Sequence, residues 1–355
     1  MGGAHSTDHG GEHRAYIGSF TSGGGRGVIT AAVDPATGAL APLSAEGSLP
    51  DPSYLALDRG AGVLYAVSEA DRGAAGAFRP TAGGLAPFGA PVAVGGAGPT
   101  HLCLAGRRLL TANYASGSVS SLPLADDGGL SAPASVLECE GSGPDADRQA
   151  GPHPHQVLPD PSGRWVLGVD LGTDEVRVLA PDPATGGPRV HAVAPLRAGT
   201  GPRHLAFHPS GGVAYVLHEL EPLLTVCRWN AGSGLLDPVR EVPVAPAGGL
   251  DGVRAYPSAI IVSPDGRFVW AAVRGTDTLV TFSLAGGPEE PRSTSIVGCG
   301  GRWPRDLAAD PAGRRLYAVN ERSGDVTWFD VDPRTGRPVR AGSTPAPAAS
   351  CVVLG

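Results

Sequence analysis

Four side chains with chemical potential fall at matched positions of repeated segments: His155, Arg203, Glu219 and Arg274. Two guanidiniums facing one place repel each other unless an anion or a polarised oxygen lies between them. A histidine and a glutamate beside them supply acid–base groups for work near neutral pH. The set therefore reads as a site for an anionic or strongly polarised small molecule. The bland alternative is a ring of solvated charges that pair with each other. The clustering of the four in neighbouring repeats favours a site.

The repeat positions them. Six times the chain writes Pro, a short apolar run, a Pro/Asp/Gly turn, a second apolar run and a polar residue, starting at Pro52, Pro99, Pro154, Pro202, Pro257 and Pro304. The clearest copies are PRHLAFHPSGGVAYVLHE, PSAIIVSPDGRFVWAAVR and PRDLAADPAGRRLYAVNE. Each unit has room for four short strands with close turn signals and no helical period. Four-stranded units of this length, set around a ring, predict an all-β fold, a β-propeller. Residues 14–44 hold only the later part of a unit, and the missing opening strand is found at Pro345–Leu354. The C-terminal strand is thus expected to close the ring beside Tyr16–Phe20, giving seven four-stranded blades in one domain over 14–355 and leaving no open edge. A stacked β-solenoid offers no reason for the split first unit.

In such a ring the start of the first strand and the end of the second share one face. The first position after each Pro reads Ser53, Thr100, His155, Arg203, Ser258, Arg305. The end of the second strand reads Glu69, Tyr114, Leu171, Glu219, Arg274, Glu321, with Asp170 one residue before Leu171. Small or apolar side chains would suit a purely structural ring. Asp170, Arg305 and His101 are expected to add substrate contacts, and all these charges are expected at the rim, where substitution spares the core. His204, His208 and His218 are expected to face the sheet or solvent. Two long connections, Cys139–Gly151 and Ala245–Tyr256, are expected above the same mouth as lids or specificity walls.

Bulk composition limits the partners. The net charge of −7, with 17% charged residues, argues against nucleic acid or an anionic membrane surface. No run approaches the length of a membrane span, and MGGAHSTDHGGEHR lacks the apolar core of a secretory signal. Five scattered cysteines (Cys103, Cys139, Cys227, Cys299, Cys351) have no metal or redox spacing and read as free thiols in a reducing, cytoplasmic compartment. His5, His9 and His13 lie in a Gly-rich tail, 1–13, expected to be disordered. His153 and His155 could be two metal ligands, but no further ligand cluster is evident. No metal or organic cofactor is expected, nor an obligate partner: a monomer or weak homo-oligomer. Nucleophile-elbow, Walker, zincin and C-x-x-C motifs are absent.

GPHPHQVLPDPSGRWVLGVDLGTDEV, GPRHLAFHPSGGVAYVLHEL, YPSAIIVSPDGRFVWAAVRGTD and RWPRDLAADPAGRRLYAVNERSG resemble the seven-bladed lactonase family. That family includes propeller-type 6-phosphogluconolactonases and fungal carboxy-cis,cis-muconate lactonizing enzymes. The likeness runs from about Ala15 to the C-terminus and is most specific over Gly151–Gly324. In the muconate enzymes a His, two Arg and a Glu are implicated, and their motif positions match His155, Arg203, Arg274 and Glu219. The chain has Val273 where the family often has Asn, and lacks a frequent acidic residue near Ala259. The resemblance implies hydrolysis of a sugar δ-lactone, foremost 6-phospho-D-glucono-1,5-lactone to 6-phosphogluconate. Glu219 or His155 would activate water and the other protonate the leaving oxygen, while Arg203 and Arg274 hold the oxyanion or a phosphate. Muconate-type cycloisomerisation and a non-catalytic binding platform are the alternatives.

Overall fold

Asp-Pro-x-Thr-Gly punctuates three of the units, and its local chemistry shows why the strands turn where they do. Oδ1 of Asp34, Asp182 and Asp332 accepts the N–H groups two and three residues on, at 2.8–3.0 Å. Gly38, Gly186 and Gly336 then take positive φ (72°, 66° and 70°), a region open to glycine without strain. Each turn joins the third strand of a blade to its outermost one.

The structure, a computed structural model, describes residues 13–132, 134–245 and 252–355. The expectation of a disordered tail falls almost wholly outside these residues. Every regular element described is a strand, and the strands form seven antiparallel sheets. Six sheets are four-stranded; in blade two the outer strand is broken in two, Gly84–Pro87 and Val92–Ala93, which both pair with Ala74–Thr81.

Closure follows the split unit. Ala349–Leu354 pairs antiparallel with Arg14–Ser19, with Tyr16 opposite Val353 and Ile17 opposite Val352. It is the inner strand of blade one and packs against the inner strands of blades seven and two.

The apolar core is divided as the sheets are. Seven buried clusters lie between successive blades, for example Val213, Leu224 and Val226 of blade five against Ile260, Val269 and Phe282 of blade six. Each sheet buries both faces along its two middle strands, such as Val63–Ser68 and Phe268–Arg274, while the outer strands are largely exposed. A blade without its neighbours would expose these faces, so the ring forms as a unit. Val273 and Ala259 are both buried here.

Candidate active site

A β-bulge recurs at the same place in the inner strands. Pro154 pairs with Asp170 and Gln156 with Val169, so His155 is skipped. Arg203, Thr100, Arg305 and Ser350 are skipped likewise in blades five, three, seven and one, and the register of blade six jumps across Ser258. A bulged residue leaves the ladder and its side chain is re-aimed. Here the bulge turns the residue after each Pro, and Ser350 after Ala349, toward the central channel, where His155, Arg203, Arg305, Thr100 and Ser350 line one small cavity.

Glu219, directly after Val213–His218, is the centre of the charged group. Its Oε1 accepts from Arg148 Nη2 at 2.7 Å. Its Oε2 lies 2.7 Å from Arg274 Nη2 and 3.2 Å from Arg203 Nε. Arg274 also donates to the carbonyls of Tyr256 and Pro257, and Arg203 to that of Ser258. Backbone of blade six thus fixes both guanidiniums. Burial pushes the Glu219 carboxyl up, but Arg274, Arg203 and Arg148 outweigh it and hold it at about 2. Burial and Arg274 press Arg203 down to about 9, still cationic at neutral pH. Three guanidiniums around one carboxylate leave two positive charges uncompensated.

His155 stands beside this group, its ring 5.3 Å from that of His204 and 5.6 Å from that of Tyr114. Its Nδ1 has no hydrogen-bond partner. Burial, then the charges of Arg203, Arg305 and Arg274, hold its pKa well below the usual imidazole range, so the ring is neutral at pH 7. His101 continues the row: its ring lies 5.6 Å from His204 and 3.9 Å from Tyr54, and neither of its nitrogens has a partner. Asp306, deeper in the channel, is raised to about 6 by burial.

Across the mouth the arrangement inverts. Arg305 lies 3.1 Å from Glu321 and 3.7 Å from Glu69, with Phe20 against its guanidinium. These residues border an open cleft of about 680 Å³ with Ser22, Gly23 and Ser323. Burial raises the Glu69 carboxyl, and Arg305 offsets this only in part. A second groove, of about 500 Å³, lies between blades three and four at the opposite end of the strands, away from these groups.

The structure brings His155, Arg203, Glu219 and Arg274 together and puts Arg305 on the same channel, while His101 packs against the lining residues Tyr54 and His204. Asp170 stays behind it. That carboxylate is fully buried, paired with Arg177 and accepting from the N–H groups of His153 and Gly172, so it braces the segment that carries His155. The rim expectation is corrected: Arg203, Glu219, Arg274 and His155 are only 2–6% exposed. His204 also departs from expectation, because the bulge breaks the strand's alternation and leaves residues 203 and 204 both on the channel. His218, bonded to Thr225 inside its sheet, and the half-buried His208 do face sheet and surface.

Arg148 and Tyr114 are the additions. Arg148 comes from the Cys139–Gly151 connection, anchored by buried Gln149, which donates to Leu171 O, and by Asp145, which accepts from the N–H groups of Asp147 and Arg148. Its partner Tyr114 stacks on His153 at 4.5 Å. Tyr114 stood in the sequence ring; nothing in the repeat marked Arg148. Half of the other long connection, 246–251, lies outside the described residues. No group of three His, Cys, Asp or Glu among the described residues is placed to hold a metal ion. The five cysteines are unpaired, and no helix is long and apolar enough to cross a membrane.

The model of the family described as "Lactonase, 7-bladed beta-propeller" matches residues 14–354. A 6-phosphogluconolactonase of Bacillus subtilis is 33% identical over 327 residues, covering 91% of this chain and 92% of that protein. A 6-phosphogluconolactonase of Pectobacterium carotovorum is 31% identical over 67% of this chain and 68% of its own length. Among solved structures, the periplasmic gluconolactonase of Pseudomonas aeruginosa superposes with a TM-score of 0.88 at 30% identity, covering 96% of this chain and 98% of that one. This chain therefore belongs to the seven-bladed β-propeller lactonase family and is a lactonase.

Proposed function

We propose that the chain hydrolyses 6-phospho-D-glucono-1,5-lactone to 6-phosphogluconate with side chains alone. The observation that carries this reading is the surplus of positive charge around Glu219 beside a neutral His155. The name of the Bacillus subtilis relative supports the choice of lactone. Water attacks C1, and the carbonyl oxygen gains negative charge. Arg274 and Arg203 stabilise it: they are fixed in a poorly solvated channel, so no reorganisation is needed as charge develops. A new C1–O bond forms, the C1–ring oxygen bond breaks, and the ring oxygen takes a proton.

His155 is the group that moves that proton. Neutral at pH 7, it accepts from the attacking water, and its depressed pKa makes the imidazolium a ready donor to the leaving oxygen. Glu219, held at about 2, is too weak a base for this work. Its role is to keep three guanidiniums in place. The five unpaired cysteines favour a reducing, cytoplasmic location.

The test is a pH-stat assay with freshly prepared 6-phosphogluconolactone beside an absorbance assay with 3-carboxy-cis,cis-muconate. Acid release well above the spontaneous rate, with no change in the muconate, is expected. Turnover of the muconate alone would move the chain to cycloisomerisation.

A further inference from the structure

The residue ahead of the inner segment is left-handed in five blades: Asp51, Gly98, Gly201, Trp303 and Ala348, with φ of 44°, 56°, 59°, 65° and 50°. Glycine fills this slot without strain at two of them. Blade seven puts a tryptophan there, a bulky side chain that disfavours positive φ. Strain of this kind persists where the surroundings enforce it, and it concentrates at ligand sites. Here Asp277, itself at φ 53°, accepts the Trp303 N–H at 2.8 Å.

The indole so held faces a set of arginines. The Arg322 guanidinium carbon lies 3.4 Å from its ring centre and that of Arg274 5.4 Å. Tyr256 stands 6.0 Å away, with Arg254 4.9 Å from the Tyr256 ring. Arg254, Arg302 and Arg322 line one pocket of about 430 Å³ with these aromatics. Asp277 is the one acid lining that pocket, and no carboxylate pairs with Arg302 or Arg322 among the described residues. Elsewhere on this mouth each arginine at least touches a carboxylate: Arg203, Arg148 and Arg274 share Glu219, and Arg305 lies between two glutamates.

We propose that this pocket is the subsite for the phosphate of the lactone substrate, with Trp303 as the wall between it and the reacting carbonyl at Arg274. The assignment rests on the reading of the chain as a hydrolase of a phosphorylated sugar lactone. Unpaired guanidiniums match a phosphate dianion by charge and by their forked donors. The aromatic wall suits the apolar face of a sugar ring. The strained tryptophan thereby acquires a purpose: it sets the spacing between the two positive regions.

Specificity tests this. Parent, Arg302→Ala, Arg322→Ala, the double variant and Trp303→Gly are assayed with 6-phosphogluconolactone and with unphosphorylated glucono-1,5-lactone. Each arginine variant should lower the preference in kcat/KM for the phosphorylated lactone by about tenfold, through KM, and the double variant by more. Trp303→Gly should lower that preference while Tm holds or rises, because glycine serves the same backbone slot in blades three and five. An unchanged preference in the double variant overturns the subsite, and a sharp fall of Tm in Trp303→Gly overturns the role of the indole. If the parent hydrolyses neither lactone, the catalytic reading fails, and calorimetry with 6-phosphogluconate decides the subsite separately. Binding to the parent that the double variant loses supports it; equal or absent binding overturns it.

Discussion

On the blade-five side of the mouth one carboxylate stands among three guanidiniums; on the blade-seven side one guanidinium stands between two carboxylates. The parts are the same and the proportions are reversed. Excess positive charge suits an oxygen that becomes an anion during the reaction, whereas excess negative charge suits hydroxyl donors. Burial differs as well. Glu219 and its two inner arginines are almost sealed, with side chains 2–7% exposed, while Arg305, Glu69 and Glu321 keep 18–25%. A charge contact in the drier half is screened less and is worth more. The difference teaches that the two halves are unequal partners; under the proposed mechanism, chemistry belongs to the first and positioning to the second.

Among single substitutions, the largest effect should come from removing the central carboxylate. Glu219→Gln leaves three guanidiniums facing each other in a buried site. A loss on the order of 3 kcal/mol in stability is expected from breaking such a network, together with a fall in kcat/KM of about 10² or more. The matching change on the other side, Glu321→Gln, leaves Arg305 with Glu69 and should cost about 0.5 kcal/mol or less. Denaturant unfolding and lactone kinetics read both. Equal effects would erase the distinction.

Acid should disturb the boundary between the halves. His101 and His218 are held at about 3, and His155 and His204 lie well below the usual range, with burial the main cause in each. An unfolded chain binds these protons near pH 6.5. The stability of groups depressed in the folded state is complete above that pH and is lost as pH falls below it. His101 and His218 should each give up about 2 kcal/mol by pH 5, and His155 and His204 add to the loss in the same direction. Tm should therefore drop steeply between pH 7 and pH 5. A flat Tm over that range would mean that these rings are not buried as neutral groups.

Asp306 gives an effect of the opposite sign. Raised from 3.8 to about 6, it binds its proton more tightly in the folded protein, so its ionisation opposes folding above pH 6. Asn keeps an acceptor for the Val352 N–H, which Asp306 Oδ2 accepts at 3.2 Å. Asp306→Asn should raise Tm at pH 8 by about 2–5 °C, and the gain should vanish by pH 4. A variant less stable than the parent at pH 8 would show that the carboxylate is needed as an ion.

The ring was legible in the sequence because each blade repeats the same apolar runs, and the split first unit announced closure by the C-terminal strand, expected within Pro345–Leu354 and found at Ala349–Leu354. The mouth position of His155, Arg203, Glu219 and Arg274 was legible for the same reason. Burial was not, since repeat position says where a residue sits along a strand and nothing of what covers it. His204 was misread because alternation puts neighbours on opposite faces, and the bulge at Arg203 suspends that rule. Arg148 left no signal: it lies in a connection without a counterpart in other blades, and only the folding of Gln149 and Asp145 brings it to Glu219.

The most direct test compares Arg274→Ala with Arg305→Ala in kcat/KM for 6-phosphogluconolactone, one substitution on each side of the mouth. Both remove a guanidinium paired to glutamate, so a difference between them reports the place of the reaction. The account predicts a loss of about 10² or more for Arg274→Ala and about tenfold or less for Arg305→Ala, with both proteins folded. Equal losses, or a greater loss at Arg305, would contradict it.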